Sequence, residues 1–325
     1  MISKLAPLAV AAALLPSLAA PLAAHAQAYP TKPVRIIVPY APGGNTDFTA
    51  RAVAEKLGDV FKRQFIVDNR PGAATNIGTE AVARAPADGY TLLMGGAANA
   101  INMSLFAKLP YDTLRDFDPI ALCVQGANVL VIHPSLPAKN LKELIALAKA
   151  QPGKLNFGSS GLGSSNQMAG ELFNIMAGIK IVHVPYKGNA PALTDLLGGH
   201  VEMIFSGVPA LLPHIQNGRV RAIAIGSLKR FPALPQVPTF DDSGLKGYEA
   251  TTWFGMLAPA KTPKEIVSRL NVEVDKAIKS ADIQQRFVNE GLEPMGGSPE
   301  AFTRFMRAEI AKYAKVIKAA GIAKQ

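Results

Sequence analysis

One unit recurs along this 325-residue chain and limits what it can fold into: a short β-branched or apolar run, a glycine-rich break, then apolar residues at a period near 3.6. Val34 to Val38 reads as a strand, Pro39 to Gly44 as a loop, and Thr46 to Leu57 as a helix stopped by Gly58. Phe65 to Val67, Arg70 to Ala73 and Thr75 to Ala85 repeat the unit, and Tyr90 to Met94 opens onto Gly95-Gly96. A second series follows Asp118-Pro119. It has strands at Val129 to Ile132, Leu155 to Gly158, Ile181 to Pro185, Val201 to Phe205 and Val220 to Ile225, and helices capped by Asn140 or running over Ser165 to Ala177 and Ala190 to Leu197. Such alternation predicts α/β layers around a largely parallel sheet.

Phe231 to Glu249 is rich in Pro, Gly and Asp and reads as a long irregular connection. Trp253 to Leu257 is a further strand, and the rest is helical: Thr262-Pro263-Lys264-Glu265 has the form of a capping box, and Ser298-Pro299-Glu300 begins a last helix. Phe302, Met306, Ile310 and Tyr313 share one face of it, so it docks on a core. Two series and a tail pack in several ways. In one, the tail returns to the first lobe, two segments cross between the lobes, and a cleft lies where strands lead into helices.

The N-terminus carries Lys4, an apolar stretch from Leu5 to Ala24 and the end Ala24-His25-Ala26. This is the form of an export signal cleaved after Ala26, and Pro7, Pro16 and Pro21 argue against a membrane anchor. The formal charge of +10 falls to +9 without residues 1–26. Basic residues are scattered, with no run beyond Lys62-Arg63 or Lys229-Arg230, which disfavours nucleic acid and favours a small anion. The single thiol, Cys123, sits in an apolar run and reads as a small buried hydrophobe.

Three loops could carry chemistry. Pro39 to Asp47 contains Gly43-Gly44 and then Asn45 or Thr46 as a helix cap, and bare amides at a helix start are an anion site; the same residues also describe an ordinary βα turn. Gly158 to Asn166 offers three glycines and four hydroxyls before a helix, without the lysine of a phosphate loop or the Gly-x-Ser-x-Gly of a nucleophile elbow. Val184 to Pro191 brings Tyr186 and Lys187 to a helix entry, Lys187 being equally a solvated loop lysine. His133, His183, His200 and His214 have no metal spacing, Asp241-Asp242 sits in a turn-rich stretch, and Asp47 with Arg51 suits a surface ion pair. No enzymatic constellation emerges, and no cofactor or metal is implied.

The loops resemble the periplasmic solute-binding proteins of tripartite tricarboxylate transporters, the Bug family. Carrying the resemblance are Pro39-Tyr40-x-Pro42-Gly43-Gly44-x-x-Asp47-x-x-Ala50-Arg51, Asn69-Arg70-Pro71-Gly72-Ala73, Asn76-Ile77-Gly78 and Ala87-Asp88-Gly89-Tyr90-Thr91-Leu92. Gly158-Ser159-Ser160-Gly161-x-Gly163-Ser164, Val184-Pro185-Tyr186-Lys187-Gly188, Asp195-Leu196-Leu197-x-Gly199, Val237-Pro238-Thr239 and Trp253-Phe254-Gly255 extend it over nearly the whole chain after residue 26.

The resemblance implies a two-lobed, type II Venus-flytrap α/β fold with a C-terminal helical tail, with 27–125 and 254–325 as one lobe and 126–253 as the other. It implies a periplasmic, non-enzymatic receptor that closes on a small aliphatic or aromatic carboxylate and hands it to membrane subunits of the transporter. Two other classes compete with it: a signalling module whose loaded form docks on a sensor ectodomain, and a secreted hydrolase, for which the triad and metal signatures are missing. By the same analogy the ligand contacts are Tyr40, Gly43, Gly44, Thr46 and Asp47 on one lobe and Ser160, Ser164, Tyr186 and Lys187 on the other, with Asn76 and Gly95 on neighbouring loops. Three departures stand out. Gln167-Met168 replaces a common His-Leu, Ser206 stands where an acidic residue is frequent, and Ala74-Thr75 replaces a common glycine pair. A carboxylate in place of Ser206 could hold an amino group, so its loss points away from an amino-acid ligand.

Overall fold

The computed structural model describes residues 29–325; the export-signal segment and its cleavage after Ala26 lie outside the described residues. In chain order the elements are β1 (Val34–Val38), α1 (Asn45–Phe61), β2 (Phe65–Asn69), α2 (Asn76–Ala83), β3 (Thr91–Gly96), α3 (Ala97–Leu105) and β4 (Phe117–Ile132). Then come α4 (Leu141–Ala150), β5 (Asn156–Ser159), α5 (Ser165–Ala177), β6 (Val182–Pro185), α6 (Asn189–Leu197), β7 (Met203–Gly207), α7 (Val208–Gln216) and β8 (Arg221–Ile225). The chain closes with β9 (Thr251–Pro259), α8 (Lys264–Lys279), α9 (Ala281–Asn289), β10 (Leu292–Pro294) and α10 (Pro299–Ala319).

The strands run in the order β2-β1-β3-β9-β4-β7-β5-β6, with β8 and β10 also paired to β4. The outer pairs β1–β2, β1–β3, β5–β6 and β5–β7 are parallel, as βαβ units require. Every pairing of β4 and β9 is antiparallel, so the sheet is mixed rather than largely parallel. The reason is that β4 and β9 are the two crossing segments. Residues 117–127 of β4 pair with β9 and β10, whereas 128–132 pair with β7 and β8.

Helices cover both faces of each half, so the strands are continuous apolar runs whose alternate side chains serve two cores. Val34, Ile36 and Val38 point to one core and Ile37 to another. In the other half, Leu130 and Ile132 face one core and Val129 and Val131 its counterpart. The first pair of cores draws on chain before residue 125 and after residue 252, with Met168 of α5 added, and the second pair on residues 127–250. Helix α10 returns to the first pair, where Phe302, Met306 and Tyr313 are buried and Trp253 Nε1 donates to Glu309 Oε2 at 3.1 Å. The irregular stretch before β9 is ordered by packing: Phe240 and Tyr248 stack with centroids 4.0 Å apart, and the Tyr248 hydroxyl donates to Ala169 O.

Local signals fail where packing outweighs them. Helix α1 runs through Gly58 to Phe61, because Phe61 packs on Phe65 and Tyr29, and it ends at Lys62 in the left-handed region (φ 53°). The capping box at Thr262 does not form. Its hydroxyl donates to Pro259 O and its amide to Asp118 Oδ2, which leaves Pro263 at the cap. Asp47 and Arg51 do pair at 3.0 Å, but the carboxylate is buried rather than on the surface.

A Cβ on Gly255, in the middle of β9, would enter the ring of Phe302 and stand 3.0 Å from Ala121 O, a backbone atom that cannot yield. Gly255→Ala is therefore expected to lower unfolding free energy by about 1–3 kcal/mol, the usual cost of overpacking, in an equilibrium urea titration. An unchanged midpoint would show that β9 and α10 are not packed as described.

Candidate ligand-binding cleft

A cleft of about 560 Å³ opens between the two halves of the sheet, beside the crossing strands, with Asn128 of β4 and Thr252 and Phe254 of β9 on its surface. Six helices begin on it. Asn45 and Thr46 open α1, Thr75 precedes α2, and Ala97 and Ala98 open α3. Facing them, Ser165 and Asn166 open α5, Asn189 opens α6, and Gly207 precedes α7. This convergence follows from βα topology, which brings each helix start to the carboxyl end of its strand. The starts of α1, α2, α6 and α7 have no side-chain cap, so their first-turn amides keep their hydrogen-bonding capacity. No charged side chain lines the cleft among the described residues.

The first loop is shaped from inside. Gly43 takes φ +89°, a region that favours glycine, and its amide donates to Asp47 Oδ2 at 3.0 Å. Asp47 also accepts from Arg51 Nε and from Asn69 Nδ2, each at 3.0 Å. Burial pushes the Asp47 carboxyl upward, but the bonds from Arg51, Gly43 and Asn69 outweigh it and hold the group below the usual carboxylate range. Its charge is thereby spent on Arg51 and the loop. Tyr40, Gly44 and Thr46 line the cleft, whereas Asp47 is buried behind it and Gly43 is exposed outside the lining.

On the opposite wall Ser160 and Ser164 line the cleft. Ser164 caps α5: its Oγ accepts from Gln167 N and donates to Gly161 O at 2.7 Å. Ser160 Oγ donates to Asn166 Oδ1 at 2.9 Å. Tyr186 and Lys187 do not line the cleft. The Tyr186 hydroxyl donates to Asp195 Oδ2 at 2.7 Å, burial and that carboxylate push its pKa up to about 12, and Lys187 is exposed. Asn76 and Gly95 also lie behind the surface. Asn76 Oδ1 accepts from Asn102 Nδ2 and the Tyr111 hydroxyl, and a Cβ on Gly95 would stand 2.7 Å from Leu257 Cδ1.

Sequence reasoning did not single out Asn128 or the starts of α3 and α7; it met Thr75 and Ser206 only as departures from the family pattern, and Asn189 only as a member of the loop Val184 to Pro191. Two signals were present: Pro209 in the first turn of α7, and the apolar period of Ala97, Ala100, Ile101 and Leu105 in α3. Asn128 sits inside a strand, where nothing local marks it.

Behind the serine loop, His183 Nε2 lies 2.6 Å from Ser159 Oγ, which also accepts from Gly161 N and donates to Gly161 O. The imidazole packs on Phe157, and burial lowers its pKa to about 4. The folded protein thus keeps His183 neutral at pH values where the unfolded chain, titrating near 6.5, takes a proton. Stability from this site is complete above about pH 6.5 and is lost as pH falls from there toward 4. Unfolding free energies at pH 7.5 and 5.0 should fall more in the wild type than in His183→Gln; equal falls would remove the imidazole from the account.

Residues 49–322 match the family described as tripartite tricarboxylate transporter family receptor, TctC. The chain is 38% identical over 306 residues to Protein BugT of Bordetella pertussis, covering 94% of this chain and 93% of that protein. Among solved structures it is similar to R. palustris Rpa4515 with adipate, at 39% identity and TM-score 0.82, covering 91% of this chain and all of the other. It is similar also to MatC of Rhodopseudomonas palustris with bound malate, at 29% identity and TM-score 0.77, covering 89% of this chain and all of the other. These likenesses extend over the lobes and the cleft alike, and the chain belongs to the tripartite tricarboxylate transporter family receptors, the Bug-type periplasmic solute-binding proteins.

Proposed function

We propose that the protein captures a small dicarboxylate between a lobe of residues 27–125 with 254–325 and a lobe of residues 126–253, and delivers it to the membrane subunits of a tripartite tricarboxylate transporter. One observation carries the reading: three helix starts face three others across a cleft that no charged side chain lines among the described residues. Each start presents partial positive charge, and those of α1, α2, α6 and α7 add first-turn amides without a side-chain cap, which favours an anion by about 0.3–1 kcal/mol per helix. With such ends on both walls, a ligand carrying an anionic group at each end is the best match. The lining also carries apolar side chains, among them Ala41, Leu162, Ala210 and Phe254, which suits a short carbon chain.

Tyr40, Gly44 and Thr46 meet one carboxylate in this reading, and Ser160, Ser164 and Asn189 approach the other. Asp47, Asn76, Gly95 and Tyr186 hold those loops in place from behind, and Gly43 and Lys187 stand outside the lining. The adipate and malate of the two relatives are both dicarboxylates, which supports the same class here. Cleavage after Ala26 releases the receptor into the periplasm. Docking of the loaded form on a sensor ectodomain rests on the same closed lobes, and capture of transporter subunits from membranes in the presence of ligand separates the two destinations.

An ammonium group would enter this cleft with no carboxylate to receive it and would lose its hydration. Isothermal titration should therefore show binding of malate, succinate or adipate, and binding of aspartate at least about tenfold weaker than that of malate. Neutral solutes binding as well as the dianions would sink the assignment.

A further inference from the structure

Three consecutive residues beside the cleft, Ala73, Ala74 and Thr75, have φ of 45°, 51° and 77°. Left-handed backbone is uncommon outside glycine, and for a β-branched residue such as Thr75 it is an outlier that surrounding structure must enforce. The enforcement is visible. Asn102, fully buried on α3, donates through Nδ2 to Ala74 O at 2.7 Å and to Asn76 Oδ1 at 2.8 Å, and the buried Tyr111 hydroxyl donates to the same Oδ1 at 2.9 Å. The strained turn is pinned from behind while Gly72, Ala74 and Thr75 form part of the cleft wall.

Thr75 occupies the cap position of α2, where a threonine hydroxyl ordinarily accepts from the first-turn amides. Here it makes no such bond. Thr75 is 7% exposed, and its Oγ1 is buried without a hydrogen-bond partner. Pro39, Pro71, Ala97, Ala98 and Phe254, which line the cleft with it, carry no polar side chain to complete it. A buried hydroxyl without a partner is costly unless something delivered to the site completes it. The helix starts offer only donors, which is what a carboxylate needs; a hydroxyl on the ligand needs an acceptor as well, and Thr75 Oγ1 can both accept and donate.

We propose that Thr75 is a specificity-determining residue, its Oγ1 hydrogen-bonding a hydroxyl carried on the chain of the bound acid, so that the cleft selects hydroxy-dicarboxylates over unsubstituted ones. The inference rests on the dicarboxylate reading and adds the substituent to it.

Malate and succinate differ by that one hydroxyl and serve as probes for isothermal titration against the full receptor and three variants. Wild type should prefer malate by about fivefold or more, the scale of one net hydrogen bond. Thr75→Val keeps shape and branching but removes the oxygen; the preference should fall to about twofold or less with succinate affinity nearly unchanged. Thr75→Ser should keep the preference. Thr75→Gly should lose it while raising the thermal midpoint, since glycine accepts φ 77° without strain. No malate preference in wild type, a preference surviving in Thr75→Val, or equal weakening of both acids by that variant would each overturn the inference while leaving the dicarboxylate reading intact. Failure of both acids to bind wild type would overturn the two together. Thermal unfolding of each variant shows that it is folded, and Thr75→Gly decides the matter should Thr75→Val not be.

Discussion

Everything about this molecule depends on the antiparallel pairing of β4 with β9. Each strand passes from one half of the sheet toward the other, and they pair from Phe117 with Pro259 to Ala127 with Thr251. Where the second half begins, Asn128 O accepts from Gly226 N at 2.7 Å, and Gly226 O accepts from Ala250 N at 2.8 Å. A Cβ on Gly226 would stand 2.7 Å from Ala250 O and 3.0 Å from Asn128 O, so only glycine lets the backbones approach so closely. Parallel βαβ units built outward from this pair on both sides place their helix starts toward one shared crevice. The topology therefore creates the electrostatics of the cleft before any lining side chain is specified.

Attraction by helix starts differs physically from attraction by a lysine or arginine. An unpaired cation in an empty cleft would keep its hydration and have to shed it on closure, and a buried ion pair recovers that cost only with excellent geometry. Amide dipoles are fixed by the helices that carry them. They need no counter-charge when the cleft is empty, and little reorientation when it fills. Asp47 shows how carefully charge is kept out. It is the one carboxylate in the first turn of α1, where it would compete with an anionic ligand, and it is turned inward onto Gly43 N, Asn69 and Arg51. Lys187, the cation nearest in sequence to the opposite wall, remains exposed and outside the lining.

What could be read from the sequence followed the range of the interactions involved. Helix α5 begins at Ser165 and ends at Ala177 as its Ser cap and Gly178 stop signal, because both signals act within one turn. Gly58 carries the same stop signal and is overridden, since the packing of Phe61 on Phe65 and Tyr29 lies outside the helix. The sixteen-residue β4 was legible only in part. Its outer half pairs with β9, more than a hundred residues away, and bulges after Pro119 where a ladder donor is missing. At the cleft, the loops 39–47 and 158–166 announced themselves by glycines and hydroxyls, so Tyr40, Gly44, Thr46, Ser160 and Ser164 were legible as lining residues. Which other candidates face inward was not, because Asp47 and Asn76 take partners from other segments and Tyr186 turns onto Asp195 of α6.

The polar groups of the second wall form a connected chain that no single loop motif contains. Ser160 Oγ donates to Asn166 Oδ1, Asn166 Nδ2 donates to Phe205 O and to Asn128 Oδ1, and Asn128 Nδ2 donates to Ala250 O. It runs from the cleft surface, through the first turn of α5, to β4 and to the residue that precedes β9. Asn166 and Asn128 are nearly fully buried, where an unmet amide would be expensive, so the position of each link constrains the next. Ser206 is the exception, a buried hydroxyl on β7 at the same wall with no partner of its own. The wall thus combines a braced frame with one open valence. The frame ties the position of Ser160 to the strands about which the lobes are joined, and the open group leaves chemistry for a guest to complete.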